Sequence, residues 1–349
     1  MEPPRVSIVV VNYNGQEHLA ECLAALLADT AVPTEVFVVD NASTDHSADV
    51  IEACLRDGGR FTFLRCPTNR GYAGGVNYAL PRLSGQYLAV LNSDVVVDPG
   101  WLAPVTSFLD ACPEAGAINP LVVLYADDTC INAAGQNIHV TGLGFNRGLM
   151  RPRDAAGVQP LPVSGLHGSA FVIRRGILEQ AGGWDDSGFL YHEDVELSWL
   201  LHLMGYDLYC LPLSSVRHKY HLSMYPEKLY LLERNRLAML AACLQPRSWL
   251  VLAPWLAFTE MLMWGFCCLR GWRFLKAKAA SYLWVSKQWP SVMARRRLIQ
   301  SLRRRPDAQI LKRLKWNYAW DQFVTLGKER GPSRRQPKGG LPVNLKDAL

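Results

Sequence analysis

Tyr87-Leu88-Ala89-Val90-Leu91-Asn92-Ser93-Asp94 is an apolar run ending in a polar tip with one carboxylate. The run has the length of a buried strand, and the carboxyl ends of strands are where open α/β sheets place ligands. Taken alone, the octapeptide admits two readings. It is a strand followed by an Asx turn, or a strand whose tip presents Asp94 to a metal or a phosphate. The flanking sequence has to weigh them.

Upstream, the pattern alternates. The apolar run Val6 to Val11 is followed by an amphipathic helix from about His18 to Ala28, then by the run Val36 to Val39. A helix from about Ser47, the run Phe61 to Leu64 and a helix through Val76 and Leu80 lead to the Tyr87 strand. Strand–helix alternation with strands this short predicts right-handed βαβ units and an α/β fold with a mostly parallel sheet. Three of the runs end in polar residues: Asn12-Tyr13-Asn14-Gly15, Asp40-Asn41-Ala42-Ser43-Thr44-Asp45 and Asn92-Ser93-Asp94. These tips share one sheet edge, so Asp40 and Asp94 are expected to face one ligand, whereas Asp45 or Ser47 suits helix capping better. Asn69-Arg70-Gly71-Tyr72-Ala73-Gly74-Gly75 places glycines and an arginine before a helix, as a phosphate-side loop would.

Downstream, Pro99 to Asp110 reads as a helix, Ala117 to Tyr125 and Gly168 to Ile173 as strands, and Arg175 to Ala181 as a short helix. Residues 151–162 have the composition of a mobile loop, a lid or a linker. Gly182-Gly183-Trp184-Asp185 reads as a tight turn. Tyr191-His192-Glu193-Asp194-Val195-Glu196 opens a helix, so its acids lie at the positive end of the helix dipole, either as dipole complements or as chemistry.

A chain of 349 residues that is 49% hydrophobic has material for a large core plus an appendage. Its net charge of +6 conceals an asymmetry: residues 1–269 hold 17 basic against 27 acidic residues, and 270–349 hold 20 against 4. The basic tail suits a phosphate-rich membrane or nucleic acid, but no aromatic-basic stacking motif accompanies it. Nine scattered cysteines without a C-x-x-C pair fit reduced thiols in a cytosolic setting, and the amino-terminal apolar run is too short for a signal peptide.

With these pieces in order, the chain resembles the family-2 inverting glycosyltransferases of the GT-A fold, particularly the bacterial rhamnosyltransferase-like branch. The matching residues are SIVVVNYNG (7–15), VVDNASTDHSAD (38–49), NRGYAGGVNYAL (69–80), LNSDVVVDPGWL (91–102), the run from Gly168 to Pro212, and RNR (234–236). The resemblance, over about residues 5–240, implies a nucleotide-sugar-binding half over 1–98 and an acceptor-binding and catalytic half over 99–240. Beyond it the composition reads as a helical amphipathic and basic extension over 241–330 and a disordered tail over 331–349. The resemblance also implies a nucleoside-diphosphate-sugar donor. Asp40 matches the acid that contacts base and ribose, and the tip with Asn12, Tyr13 and Asn14 lines that pocket; Asn41, Asn69, Arg70, Asn92 and Ser93 are further donor-binding residues. Asp94 matches the last acid of the D-x-D motif, which binds Mg²⁺ or Mn²⁺; Asn92 replaces the first acid, a form the related branch often shows. His218 matches a position that completes the metal shell, and the alternative for a lone histidine after a strand is a structural role.

Asp194 matches the base that removes the acceptor proton, and inversion follows from attack opposite the leaving group. Glu193, with Trp184 and Asp185, matches the acceptor side, although Trp184 equally suits core packing. Arg234 and Asn235 match a diphosphate-side pair, with a charged helix face as the alternative. The acceptor implied is a glycan or lipid-linked saccharide, and rhamnose as the sugar rests on the branch alone. A processive polysaccharide synthase fits less well, since Gln245-Pro246-Arg247-Ser248-Trp249 is not a Q-x-x-R-W signature. A degenerate nucleotide-sugar- or membrane-binding protein is opposed by the joint presence of Asp94, His218 and Asp194. No oligomeric state is assigned.

Residues 249–269 are long enough to cross a membrane, but Pro254, Glu260 and topology argue against it. Arg270, Arg273, Lys276 and Lys278 follow directly, so a crossing would place the catalytic half opposite its cytosolic donor. The expectation is a cytoplasmic protein, peripheral on an anionic membrane surface through an interfacial helix pair, or else an ordinary helical subdomain.

Overall fold

The computed structural model describes residues 3–220 and 223–328; the tail expected to be disordered over 331–349 lies outside them. The chain forms two units that interleave in sequence. One comprises residues 1–136, 146–189 and 206–220, the other 137–145, 190–205 and the chain from 221.

In the first unit each early apolar run becomes a strand and each amphipathic stretch a helix. They are β1 (Val6–Asn12), α1 (Gln16–Ala28), β2 (Thr34–Asp40), α2 (Ser47–Arg56), β3 (Thr62–Arg65), α3 (Gly71–Ala79) and β4 (Tyr87–Asn92). α1 buries Leu19, Cys22, Leu23 and Leu26, one face of a helix, against the sheet core. β1 pairs in parallel with β2 and β4, and β2 with β3. α3 lies close over β1 because a Cβ on Gly75 would stand 2.8 Å from Val11 Cγ1.

The unit continues through β5 (Val95–Val97), α4 (Leu102–Ala111), β6 (Ala115–Leu124) and β7 (Ile131–Ala133). The short hairpin of β8 (Gln136–Ile138) and β9 (Gly144–Asn146) interrupts it and belongs for the most part to the second unit, after which come β10 (Leu161–Val163), β11 (Ala170–Arg174), α5 (Arg175–Gln180) and β12 (Asp207–His218). The main sheet runs β10-β12-β6-β11-β4-β1-β2-β3, with β5 on β12 and β7 on β6. The parallel pairing expected from the alternation thus holds from β3 to β4, and beyond β4 the sheet is mixed. β11 runs antiparallel to both β4 and β6, since no crossover helix precedes it to return the chain in the parallel sense. The lid or linker expected over 151–162 is instead tied to the sheet. β10 pairs with β12, and Arg153 donates to Ser215 Oγ at 2.8 Å.

The second unit is helical: α6 (Glu193–Leu203), α7 (Pro226–Cys243), α8 (Pro246–Arg270), α9 (Trp272–Lys287), α10 (Trp289–Leu302), α11 (Asp307–Leu311) and α12 (Trp320–Lys328). Its core joins Leu229, Tyr230 and Leu231 of α7 to Met263 and Cys267 of α8 and to Phe274, Ala277 and Ala280 of α9. A buried ion cluster crosses the same three helices. Arg236 donates to Glu233 at 2.9 and 2.8 Å and to Glu260 at 2.6 Å, and Lys278 pairs with Glu233 and, at 2.7 Å, with Glu260.

Candidate active site

The register of the parallel strands brings the polar tips to one edge. Asn12 lies opposite Asp40 across β1 and β2, and Val11 opposite Asn92 across β1 and β4. Asn12 and Asp40 are both buried, and Asn12 Nδ2 donates to Asp40 Oδ1 at 3.3 Å and to Ser43 Oγ at 3.1 Å. Asn14, in the left-handed region at φ 53°, accepts from the Thr44 amide at 2.7 Å and donates its own N–H to Ser43 Oγ at 2.9 Å. These bonds lock the first tip to the second, and Tyr13 is half-buried. Asp45 serves the capping role: its carboxylate accepts from the first amide of α1, Gln16, at 3.2 Å and from Ser47 at 3.0 Å.

Asn41 and Asn69 shape the glycine-rich loop. Asn41 Nδ2 donates to Gly71 O at 2.8 Å and to Asn69 Oδ1 at 3.1 Å, while Asn41 Oδ1 accepts from the Arg70 amide at 2.9 Å. Arg70 stays exposed, its guanidinium 5.7 Å from the Tyr78 ring centroid. Gly71 needs to be glycine: its φ is +73°, and a Cβ there would collide with the carbonyl of Phe189.

The Asn92-Ser93-Asp94 tip is half-buried and turns directly into β5, whose pairing with β12 sets Val95 against His218. That register puts His218 Nε2 3.5 Å from Asp94 Oδ1. The Asp94 oxygen is buried without a hydrogen-bond partner. Burial would raise its pKa, but the neighbouring His218 outweighs this and holds the carboxyl below the usual range. His218 Nδ1 lies 2.8 Å from Asn132 Oδ1, an oxygen that can only accept, so Nδ1 carries a proton, and Nε2 faces the carboxylate. His167, which burial pushes down to about 3, packs against His218 at 5.8 Å between ring centroids. A protonated His218 supplies the positive charge facing this carboxylate itself, and with Nε2 deprotonated a divalent cation could take that place. Oxygen plus nitrogen is a donor set that fits a divalent cation. No group of three or more His, Cys, Asp or Glu side chains placed for a metal occurs among the described residues, so water and ligand oxygens would complete such a shell. Asn132 and His167 carry no sequence motif; only the fold brings them to His218.

Trp184 is buried, edge-on to Tyr72 at 5.6 Å and to Phe171 at 5.4 Å, and its backbone is held by Asn77 at 2.9 and 2.6 Å. This is the packing alternative allowed for it. Asp185 accepts from the Ser187 amide at 3.0 Å within its turn.

In the second unit α6 opens on Glu193 and Asp194, with Glu196 in the same turn. Burial, reinforced by Asp194 beside it, pushes the Glu193 carboxyl up to about 8. Asp194 Oδ1 accepts from the Val195 amide at 2.8 Å, and Arg295 claims Glu196 at 2.9 Å. The two predicted diphosphate-side residues take different surroundings. The Arg234 guanidinium sits between the rings of Trp284, at 4.4 Å, and Tyr230, at 5.0 Å. Asn235 donates to the carbonyls of Leu190 at 3.1 Å and Tyr191 at 2.8 Å.

The chain is similar to known proteins in sequence and in fold. The profile of glycosyl transferase family 2 matches residues 7–182. An N-acetylglucosaminyl-diphospho-decaprenol L-rhamnosyltransferase of Mycobacterium tuberculosis is 29% identical over 233 residues, covering 60% of this chain and 75% of that one. A poly-beta-1,6-N-acetyl-D-glucosamine synthase of Staphylococcus aureus is 25% identical over 212 residues, 60% of this chain but only 48% of the synthase. Among solved structures, the mannosyltransferase PcManGT from Pyrobaculum calidifontis, in complex with GDP-Man and Mn²⁺, superposes with a TM-score of 0.52 at 20% identity, over 86% of this chain and 87% of that one. GalNAc-T7 with UDP, GalNAc and Mn²⁺ gives 0.58 at 18% identity, over 69% and 48%. At these identities the solved structures establish the shared fold, and the profile, spanning half of the chain, establishes the family: the chain belongs to glycosyl transferase family 2.

Proposed function

We propose that this protein moves a single sugar, with inversion, from a nucleoside-diphosphate sugar to a lipid-linked or cell-surface polysaccharide acceptor. The observation that carries the reading is the Asp94–His218 pair, held at the sheet edge beside the Asn12–Asp40 tips. A nucleotide enters against Asp40 and Asn12, and its diphosphate lies toward Ser93, Asp94 and the exposed Arg70. Asp94 and His218 would hold a divalent cation, Mg²⁺ or Mn²⁺, which when bound neutralises charge on the departing diphosphate. Asp194 takes the proton of the acceptor hydroxyl as the new bond forms, and Glu193, protonated through neutral pH, donates a hydrogen bond to an acceptor oxygen. Rhamnose as the sugar draws support from the name of the mycobacterial relative. The staphylococcal relative supports a second reading, a polymerising synthase.

We also propose that the protein works on the cytoplasmic face of a membrane. α8 is the one helix among the described residues long and apolar enough to cross, with a mean hydropathy of 1.5 over its best window. Yet Glu260 and Thr259, on its inner stripe, are bonded to Arg236, Lys278 and Tyr282 and to Thr141. A helix clamped this way through its middle is better suited to lying in the interface, with its outer apolar face among the lipids. That face is open: Leu250 is 79% and Leu269 89% exposed, with Trp249 and Trp255 exposed too, and Trp272 at the start of α9 and Trp289 at the start of α10 are also exposed.

The test is nucleoside-diphosphate release from UDP-, TDP- and GDP-sugars with a bacterial lipid extract. Acceptor-dependent release from one donor, giving a product extended by one sugar, supports transfer; a ladder of products supports the synthase; and binding of a donor without release speaks for a degenerate binding protein.

A further inference from the structure

The helix that carries Glu193 and Asp194 begins from a backbone that side-chain-bearing residues rarely adopt. Tyr191 and His192 are consecutive left-handed residues at φ 64° and 72°, and Phe189 has φ 66°. Such conformations persist only where surroundings hold them, and clusters of them mark functional segments. Besides the Tyr191–Tyr225 hydroxyl bond at 2.8 Å, two side chains hold this segment by its ends. Asn235 of α7 donates to both Leu190 O and Tyr191 O. His192 Nε2 meets the Gly142 carbonyl at 2.8 Å. A carbonyl only accepts, so Nε2 carries the proton, and burial keeps the ring neutral by pulling its pKa down to about 4.

The far end of that second bond is braced in turn. Gly142 has φ +84°, and a Cβ on it would stand 2.9 Å from Met239 Cε and 3.1 Å from Arg236 Cγ. Arg236 donates to the preceding carbonyl, Thr141 O, at 3.2 Å, and Arg236 is itself pinned by Glu233 and Glu260. The buried ion cluster therefore anchors the 139–142 turn, the turn anchors His192, and Asn235 anchors the two residues before it.

We propose that Asn235 and His192 are positioning residues for the carboxylate pair: they fix the strained turn 190–192 so that α6 starts at Glu193 with Asp194 in its first turn. This gives Asn235 a positioning task for the carboxylate pair in place of a diphosphate-side role, and it rests on the reading of Asp194 as the base.

The experiment compares Asn235→Asp, His192→Ala and His192→Gln with wild type and Asp194→Asn, using the nucleotide sugar of the UDP, TDP and GDP panel that turns over fastest and bacterial lipid extract as acceptor. Asn235→Asp keeps the shape but turns two donors into acceptors facing carbonyls, and His192→Gln keeps a donor. Asn235→Asp and His192→Ala should lower kcat about 10- to 100-fold with the donor KM within about twofold, and His192→Gln should recover most of the loss, as for other residues that orient a reacting group. Hydrogen exchange, read on the same proteins, should accelerate over residues 189–196 and stay unchanged over α7 to α9. Unchanged exchange at 189–196, or a loss of protection spread over the whole helical unit, overturns the proposal whatever Asp194 does. Full activity in Asp194→Asn sinks the base assignment instead, while leaving the local exchange result to judge the turn.

Discussion

Glu193 holds its proton because its carboxyl is withdrawn from water and faces Asp194, and this has a consequence for stability. Its folded pKa of about 8 lies above the ordinary carboxylate value, so the folded state binds this proton more tightly than the unfolded chain. The contribution is complete below pH ~4.5 and is lost as pH rises through about 8. Glu193→Gln keeps a neutral side chain at every pH. Its melting temperature should converge with that of wild type toward pH 5, move ahead of it as pH rises from about 5 to 8 and keep a constant lead above that; parallel profiles would deny the raised pKa. On the donor side, Asp94→Asn or His218→Ala should raise the Mn²⁺ concentration for half-maximal turnover roughly 10-fold or more, as removing metal-site groups does. An unchanged midpoint would place the cation elsewhere. Asp40, Asp94 and the Asp194 helix start were legible in the sequence because each closes an apolar run or opens a periodic one. Asn132, His167 and the hold of Asn235 on residues 190–191 were not, since those contacts join residues far apart in sequence and have no local pattern.

Among the elements, the four strands from β3 to β4 followed from period and length alone, and so did α1 and α3. The antiparallel entry of β11 and the three-residue strands did not, because a three-residue run is too short to show alternation and takes its place from neighbours. α8 has an inner stripe of Ser248, Leu252, Thr259, Met263 and Cys267 that reads as polar and apolar mixed until Arg236 and Lys278 are seen beside Glu260. Glu260→Ala should be strongly destabilising, by about 3–5 kcal/mol, because it strips a partner from two cations that stay buried. Denaturant unfolding of the variant checks this; a loss below ~1 kcal/mol would mean that the cluster is open to water.

For the molecule as a whole, an acidic amino-terminal portion opposes a basic, tryptophan-rich tail, and the proposed membrane site of work follows from that opposition. The exposed face of α8 should insert into lipid, with cations such as Arg247 and Arg273 meeting anionic headgroups. Flotation with vesicles should recover the protein on anionic far more than on neutral lipid, and Leu250→Asp with Leu269→Asp should abolish recovery without lowering the melting temperature; equal recovery of the double variant would remove α8 from the interface. The tail was legible as apolar and basic, but whether α8 is core or surface depends on how little of it packs: 22% of its apolar window is buried. The most direct measurement of the central claim is acceptor-dependent nucleoside-diphosphate release by wild type and Asp194→Asn, with and without EDTA. Release should fall by about 10²- to 10⁴-fold in the variant while nucleotide-sugar binding persists, and EDTA should abolish it in wild type. Release that survives both the substitution and the chelator would contradict a metal-assisted transferase with Asp194 as its base.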